Sequence, residues 1–292
     1  MDWLVTAAGA VLVLFVLRDM FHTIWHPSGQ GSLSRLVIQL VWRGSRVIKS
    51  RRRQSSVVGP FAILCVILTW ITIILAGWTL VYWPHMSDGF SFGSSLQPSE
   101  RSDILDSLYL SLVTVATLGY GDIVPAYAWL RLASPLEALI GFSLLTAAVT
   151  WILQIYPALA RRRTLAIRLS LLRKAEAAQA LSAMDSSAAA TLLETLAGEL
   201  VQVRVDLTQY AETYYFREAD DVASLPAQLP YARELADRAA SSGRDDVRLS
   251  GTILRGAVED YAYLLTQQFL PASGDLAATL QRYSDDHGYR VS

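Results

Sequence analysis

Apolar residues gather in long unbroken stretches separated by polar segments. No Asp, Glu, Lys or Arg occurs from Gln54 to Ser87 or from Ala138 to Ala160, and each gap exceeds the roughly 20 apolar residues that cross a bilayer. Three stretches read as membrane crossings: Trp3 to about Trp25, Val57 to about Trp83, and about Trp129 to Tyr156. The first carries Asp2 rather than Lys or Arg at its head, and no small-x-small cleavage pattern follows it. It therefore reads as a retained helix rather than a signal peptide. Between the second and third crossings, Ile104 to Thr117 is too short to span and is followed by Gly and Pro, as a re-entrant helix would be. From Thr164 onward the period changes. Leu193, Leu196, Leu200, Val203, Leu207, Tyr210 and Tyr214 alternate steps of three and four, which predicts the seam of a packed or coiled helix. Pro226, Pro230, Gly243 and Pro271 divide the rest into shorter helices, the clearest from about Asp245 to Leu270. The fold class expected is an all-α membrane protein with a soluble domain of four or five helices.

Charge orients the crossings. Arg35, Arg43, Arg46, Lys49, Arg51, Arg52 and Arg53 stand in one short segment without an acidic residue, which keeps that segment in the cytoplasm and puts the N-terminus outside. Arg161, Arg162 and Arg163 place the end of the third crossing inside as well; anionic lipid is a possible partner for them. Within the basic segment Leu33, Leu36, Val37, Leu40 and Val41 repeat at helical spacing beside Trp42, so it reads either as an interfacial amphipathic helix or as a basic loop. With 52% hydrophobic and 17% charged residues, against about 25% charged in soluble chains, the chain is neither disordered nor purely soluble. A net charge of −1 gives no sign of a nucleic-acid partner, and the single Cys65 excludes an intramolecular disulfide and a thiolate zinc cluster. His22 and His26 have a spacing open to metal ligation, though hydrogen bonding near the interface is the plainer role.

After the re-entrant segment stands Thr114-Val115-Ala116-Thr117-Leu118-Gly119-Tyr120-Gly121-Asp122, then Ile123-Val124-Pro125. From Val57 to Tyr156 the chain resembles the pore of potassium channels, whose filter replaces the water of K+ with rings of backbone carbonyls. The resemblance implies a P-loop tetrameric cation-channel pore, with K+ held at Thr117, Leu118, Gly119 and Tyr120 as permeant ion rather than cofactor. The filter would be completed by Gly121 and Asp122. Successive carbonyls point one way only if the backbone alternates in hand, which Gly119 and Gly121 make tolerable. Leu118 and Tyr120 would turn their side chains into a supporting wall. One loop per chain implies a homotetramer, and irregular backbone at this depth needs protein or a water-filled pore around it. Leu118 replaces the usual Val and Ala116 a frequent Thr, and Val113 stands where some members have a carboxylate behind the filter.

Gly141, 24 residues beyond Thr117, is either a gating hinge or a close-packing position. Thr146 and Thr150 are candidate pore-lining residues, and Glu137 is a charge within a crossing, with a structural hydrogen bond its expected role. The organisation expected is an N-terminal transmembrane helix over 1–30, a basic linker over 31–56, a pore domain over 57–159 and a helical cytoplasmic domain over 160–292. The function expected is passive K+ conduction in the cell (plasma or inner) membrane, among lipids, with gating by the C-terminal domain. A rival reading is a membrane-anchored signalling or scaffold protein with a vestigial pore. A C-terminal hydrolase is disfavoured, since that domain has only His287 and no cysteine.

Overall fold

The computed structural model describes residues 1–26, 31–47, 57–93, 102–271 and 274–289. Lys49, Arg51, Arg52 and Arg53 lie outside the described residues, as do Glu100 and Arg101. The chain is an all-α membrane protein. Among the described residues three helices are long and apolar enough to cross a bilayer, and the chain divides into two compact units, 1–40 with 62–153 and 41–61 with 154–292. Helix α2 (Ser32–Val47), α3 (Val58–Tyr82) and α6 (Ala128–Lys174) each contribute to both.

In the first unit, α1 (Asp2–Ile24) packs on α3 through two glycines. A Cβ on Gly9 would lie 2.4 Å from the Gly77 carbonyl oxygen, so the backbones approach as small residues in a membrane allow. Asp19, only 3% exposed, fastens α1 to two other elements. Its Oδ1 accepts from the Leu33 N–H at 2.8 Å, and its Oδ2 from the Ser34 hydroxyl at 2.6 Å and the Trp70 indole at 3.0 Å. A carboxylate at the start of α2 satisfies otherwise orphaned N–H groups and opposes the helix dipole. After α3, a 3₁₀ turn (Trp83–His85) and α4 (Met86–Gly89) lead to strand β1 (Phe90–Phe92), then to the short helix α5 (Asp103–Val115). Strand β2 (Ile123–Pro125) pairs antiparallel with β1, Phe92 opposite Ile123 and Phe90 opposite Pro125.

Helix α6 differs from the expectation of an inner helix ending near Tyr156, because it continues unbroken to Lys174. The charge shift at Arg161 marks a change of surroundings, while Ala, Leu and Arg keep the helix going. In the second unit follow α7 (Ala177–Ala180), α8 (Ser186–Gln209), α9 (Leu225–Ala240), α10 (Asp245–Gln268) and α11 (Leu276–Asp286). The seam residues Leu193, Leu196, Leu200, Val203 and Leu207 are buried, with α8 packed on α10, so the seam serves this unit's own core. Tyr214 falls beyond α8, in a 3₁₀ segment (Ala211–Tyr215). Pro230, expected to break a helix, lies inside α9. It deletes one hydrogen bond near the helix start, and buried Leu229 and Tyr231 beside it retain the packing.

The Ala211–Tyr215 segment and the residues after it are the hub of this unit. Arg162, 5% exposed, donates to the carbonyls of Thr213 and Phe216 and to Glu218. Arg161 forks onto Asp206 at 2.7 and 2.8 Å, and Arg163 pairs with Glu218 at 2.8 Å. The three arginines are thus engaged by protein groups. The Arg217 guanidinium lies 4.1 Å from the Trp42 ring centroid, and Tyr214 stacks on Phe269 at 4.2 Å. His287 places Nε2 2.7 Å from the Tyr214 carbonyl oxygen and Nδ1 3.1 Å from that of Tyr283. Burial pushes its pKa down to about 4.

Candidate functional site

Helix α5 begins with Asp103 and Asp106 in its first turn, where carboxylates oppose the helix dipole. Its last carbonyls turn the chain back: the Thr117 N–H donates to Thr114 at 2.9 Å and the Leu118 N–H to Val113 at 2.8 Å. From there every second residue takes the left-handed conformation, with φ of 57° at Thr117, 54° at Gly119 and 77° at Gly121. Thr117 was missed as a left-handed step by sequence reasoning, which looked to glycine alone. For a β-branched residue that step costs about 1–2 kcal/mol, met here by the hydrogen bonds from the end of α5. Among the described residues, no main-chain carbonyl from Thr117 to Tyr120 accepts a hydrogen bond. Four consecutive acceptors are left for something else to use. Leu118 and Tyr120 are 55% and 65% exposed in the single chain.

Asp122 is held from three directions. Its Oδ2 accepts from the Tyr109 hydroxyl at 2.6 Å, its Oδ1 from the Ile123 N–H at 3.1 Å, and its carbonyl from the Gly93 N–H at 2.7 Å. Val113 is buried and apolar; Tyr109, one turn earlier on α5, supplies the hydroxyl that holds Asp122. The i to i+4 spacing from Tyr109 to Val113 is the signal that would have found it. The β1–β2 ribbon, clamping the chain just after Asp122, was also missed, because three-residue strands leave no periodic trace.

Glu137 is fully buried, and both carboxylate oxygens are used: Oε2 accepts from the Tyr82 hydroxyl at 2.6 Å, and Oε1 from the Ser111 hydroxyl at 2.5 Å. One turn on, a Cβ at Gly141 would lie 2.4 Å from the Val115 carbonyl oxygen, so close packing alone requires glycine there. Thr146 and Thr150 are exposed, with hydroxyls donating to the carbonyls of Phe142 and Thr146. They line a cavity of about 300 Å³ with Ile24, the last residue of α1, and Trp25 just after it. The His22 and His26 rings sit 5.3 Å apart, and among the described residues no group of three or more His, Cys, Asp or Glu is arranged to hold a metal.

Residues 61–156 match a family model described as an ion channel. Over 161 residues the chain is 29% identical to the uncharacterized membrane protein YdjJ of Bacillus subtilis, covering 54% of this chain and 46% of that one. The chain thus spans about half the length of that relative. Over 93 residues it is 32% identical to protein LctB of Bacillus caldotenax and 33% identical to that of Geobacillus stearothermophilus, in each case 30% of this chain and 67% of the relative. No solved structure matches the chain. With the short helix α5 and the alternating loop inside the matched stretch, the chain belongs to the ion-channel family whose pore is built from two transmembrane helices.

Proposed function

We propose that the chain forms a homotetrameric channel that conducts K+ passively and selectively, as a transport protein rather than an enzyme. The observation that carries this reading is the alternation of hand at Thr117, Gly119 and Gly121 beside four unbonded carbonyls. A strict two-residue alternation turns successive carbonyls to one side, the geometry needed to replace an ion's water at little cost. K+ is held at Thr117, Leu118, Gly119 and Tyr120, with Gly121 and Asp122 at the outer mouth. The exposed Leu118 and Tyr120, and the exposed Leu105, Leu108 and Leu112 of α5, favour coverage by neighbouring copies around a shared axis. The N-terminus lies outside and the helical domain in the cytoplasm, following the basic residues. Thr146 and Thr150 line the inner pore, and α6 bends about Gly141 when the helical domain moves, α6 being common to both units.

The test is purified protein in liposomes loaded with K+. Flux that depends on K+, from a species that cross-links to four copies, is the expected result; a monomer that passes no ion would favour the scaffold reading. Ending the chain after Lys174 tests gating. Truncated channels are expected to conduct with an altered open fraction, and an unchanged open fraction would remove the helical domain from control of the pore.

A further inference from the structure

We infer that Glu137 is a positioning residue for ion selection, its carboxylate tying α5, and through α5 the filter, to α3 and α6. This rests on the potassium-channel reading above. A carboxylate inside a membrane crossing is costly and persists only when both oxygens find donors. Here both do, and Tyr82 and Ser111, which supply them, are themselves fully buried. An apolar side chain of similar size would fill the same space without the desolvation cost, so the carboxylate contributes direction rather than burial. Three elements meet at that one group.

The consequence for the filter follows from what α6 touches next. Helix α6 meets α5 at its middle, through Glu137 and Ser111, and at its C-terminal end, where Gly141 lies against the Val115 backbone. That end is what supports the filter, through the Val113 and Thr114 carbonyls that accept from Leu118 and Thr117. The Gly141 contact is steric and resists only closer approach. The Glu137 bond resists withdrawal and rotation, motions that re-aim the carbonyls from Thr117 to Tyr120. Tyr109 fixes the outer end at Asp122; Glu137 fixes the foot.

The experiment measures the K+ over Na+ permeability ratio of the purified full-length protein in planar bilayers, with the tetramer fraction followed alongside. Ser111→Ala and Glu137→Leu are each expected to assemble and to lower the ratio about tenfold, the scale of one hydrogen bond. Glu137→Gln, which keeps an acceptor, should stay within about threefold of the parent. The double variant Ser111→Ala with Glu137→Leu should be no worse than Glu137→Leu alone, because one bond cannot be lost twice. Parental ratios in both single variants, or effects that multiply in the double, would overturn the inference. If Glu137→Leu does not assemble, Ser111→Ala decides; failure of both to assemble would make the contact one of folding and would overturn it too. A parent protein that passes Na+ as readily as K+ would instead overturn the channel reading itself.

Discussion

The two compact units hold their chemistry in different currencies. In the first, the candidate site consists of backbone: three left-handed residues from Thr117 to Gly121 and, among the described residues, four carbonyls that accept no hydrogen bond, in a stretch where side chains play supporting parts. In the second, side chains carry the organisation. Arg162 is buried among carbonyls, Arg217 covers Trp42, and His287 stands between two carbonyl oxygens amid Tyr214 and Tyr283. A backbone site depends on which residues permit a given φ, so a single methyl group can destroy it with the fold intact. A side-chain hub depends on satisfied hydrogen bonds, so its variants lose stability before they lose any selectivity.

The largest effect should come from Gly119→Ala. Among the described residues, nothing beyond the two chain neighbours would lie within 4 Å of the new Cβ, so the penalty is conformational. At about 1–2 kcal/mol per subunit it reaches about 4–8 kcal/mol in a tetramer. Selective current should vanish while the melting temperature of the helical domain stays put; retained selectivity would break the contrast between the units.

That contrast also sorts what the sequence made legible. The left-handed steps at 119 and 121 were readable because glycine reports backbone conformation directly, and the long apolar helices because charge is absent from them. Thr117 was not, since threonine gives no local sign of a left-handed step. The continuity of α6 was hidden by the charge shift at Arg161, which tells of solvent rather than of a helix end. In the helical domain the Leu193 to Leu207 seam was legible as a period, while its partner α10 and the hub around Trp42, Tyr214 and His287 were not. These residues are far apart in sequence, and no spacing rule links them.

Next in size is Arg162→Ala. It leaves the Thr213 and Phe216 carbonyls without their donor in a buried place, which costs about 3 kcal/mol. Thermal unfolding followed by circular dichroism should show the loss, with the permeability ratio of the surviving channels unchanged. A variant that melts normally would contradict the role given to the hub.

An effect of similar size is that of pH on the same unit. In the unfolded chain His287 takes up a proton near pH 6.5, but burial holds the folded group neutral down to about 4. Its contribution is therefore fully present above about pH 6.5 and lost as pH falls toward 4, at up to about 1.4 kcal/mol per pH unit. Melting temperature measured from pH 7.5 to 4.5 should fall along that course in the parent and more shallowly in His287→Gln. Parallel curves for the two proteins would show that His287 does not titrate in this way.

The central claim, that the alternating backbone from Thr117 to Gly121 selects K+, meets its most direct test in the reversal potential of the purified protein between equal concentrations of KCl and NaCl. The account predicts a potential displaced far from zero, in the sense that opposes K+ leaving the KCl side, and its collapse in Gly119→Ala. A conducting parent protein whose current reverses at zero would contradict it.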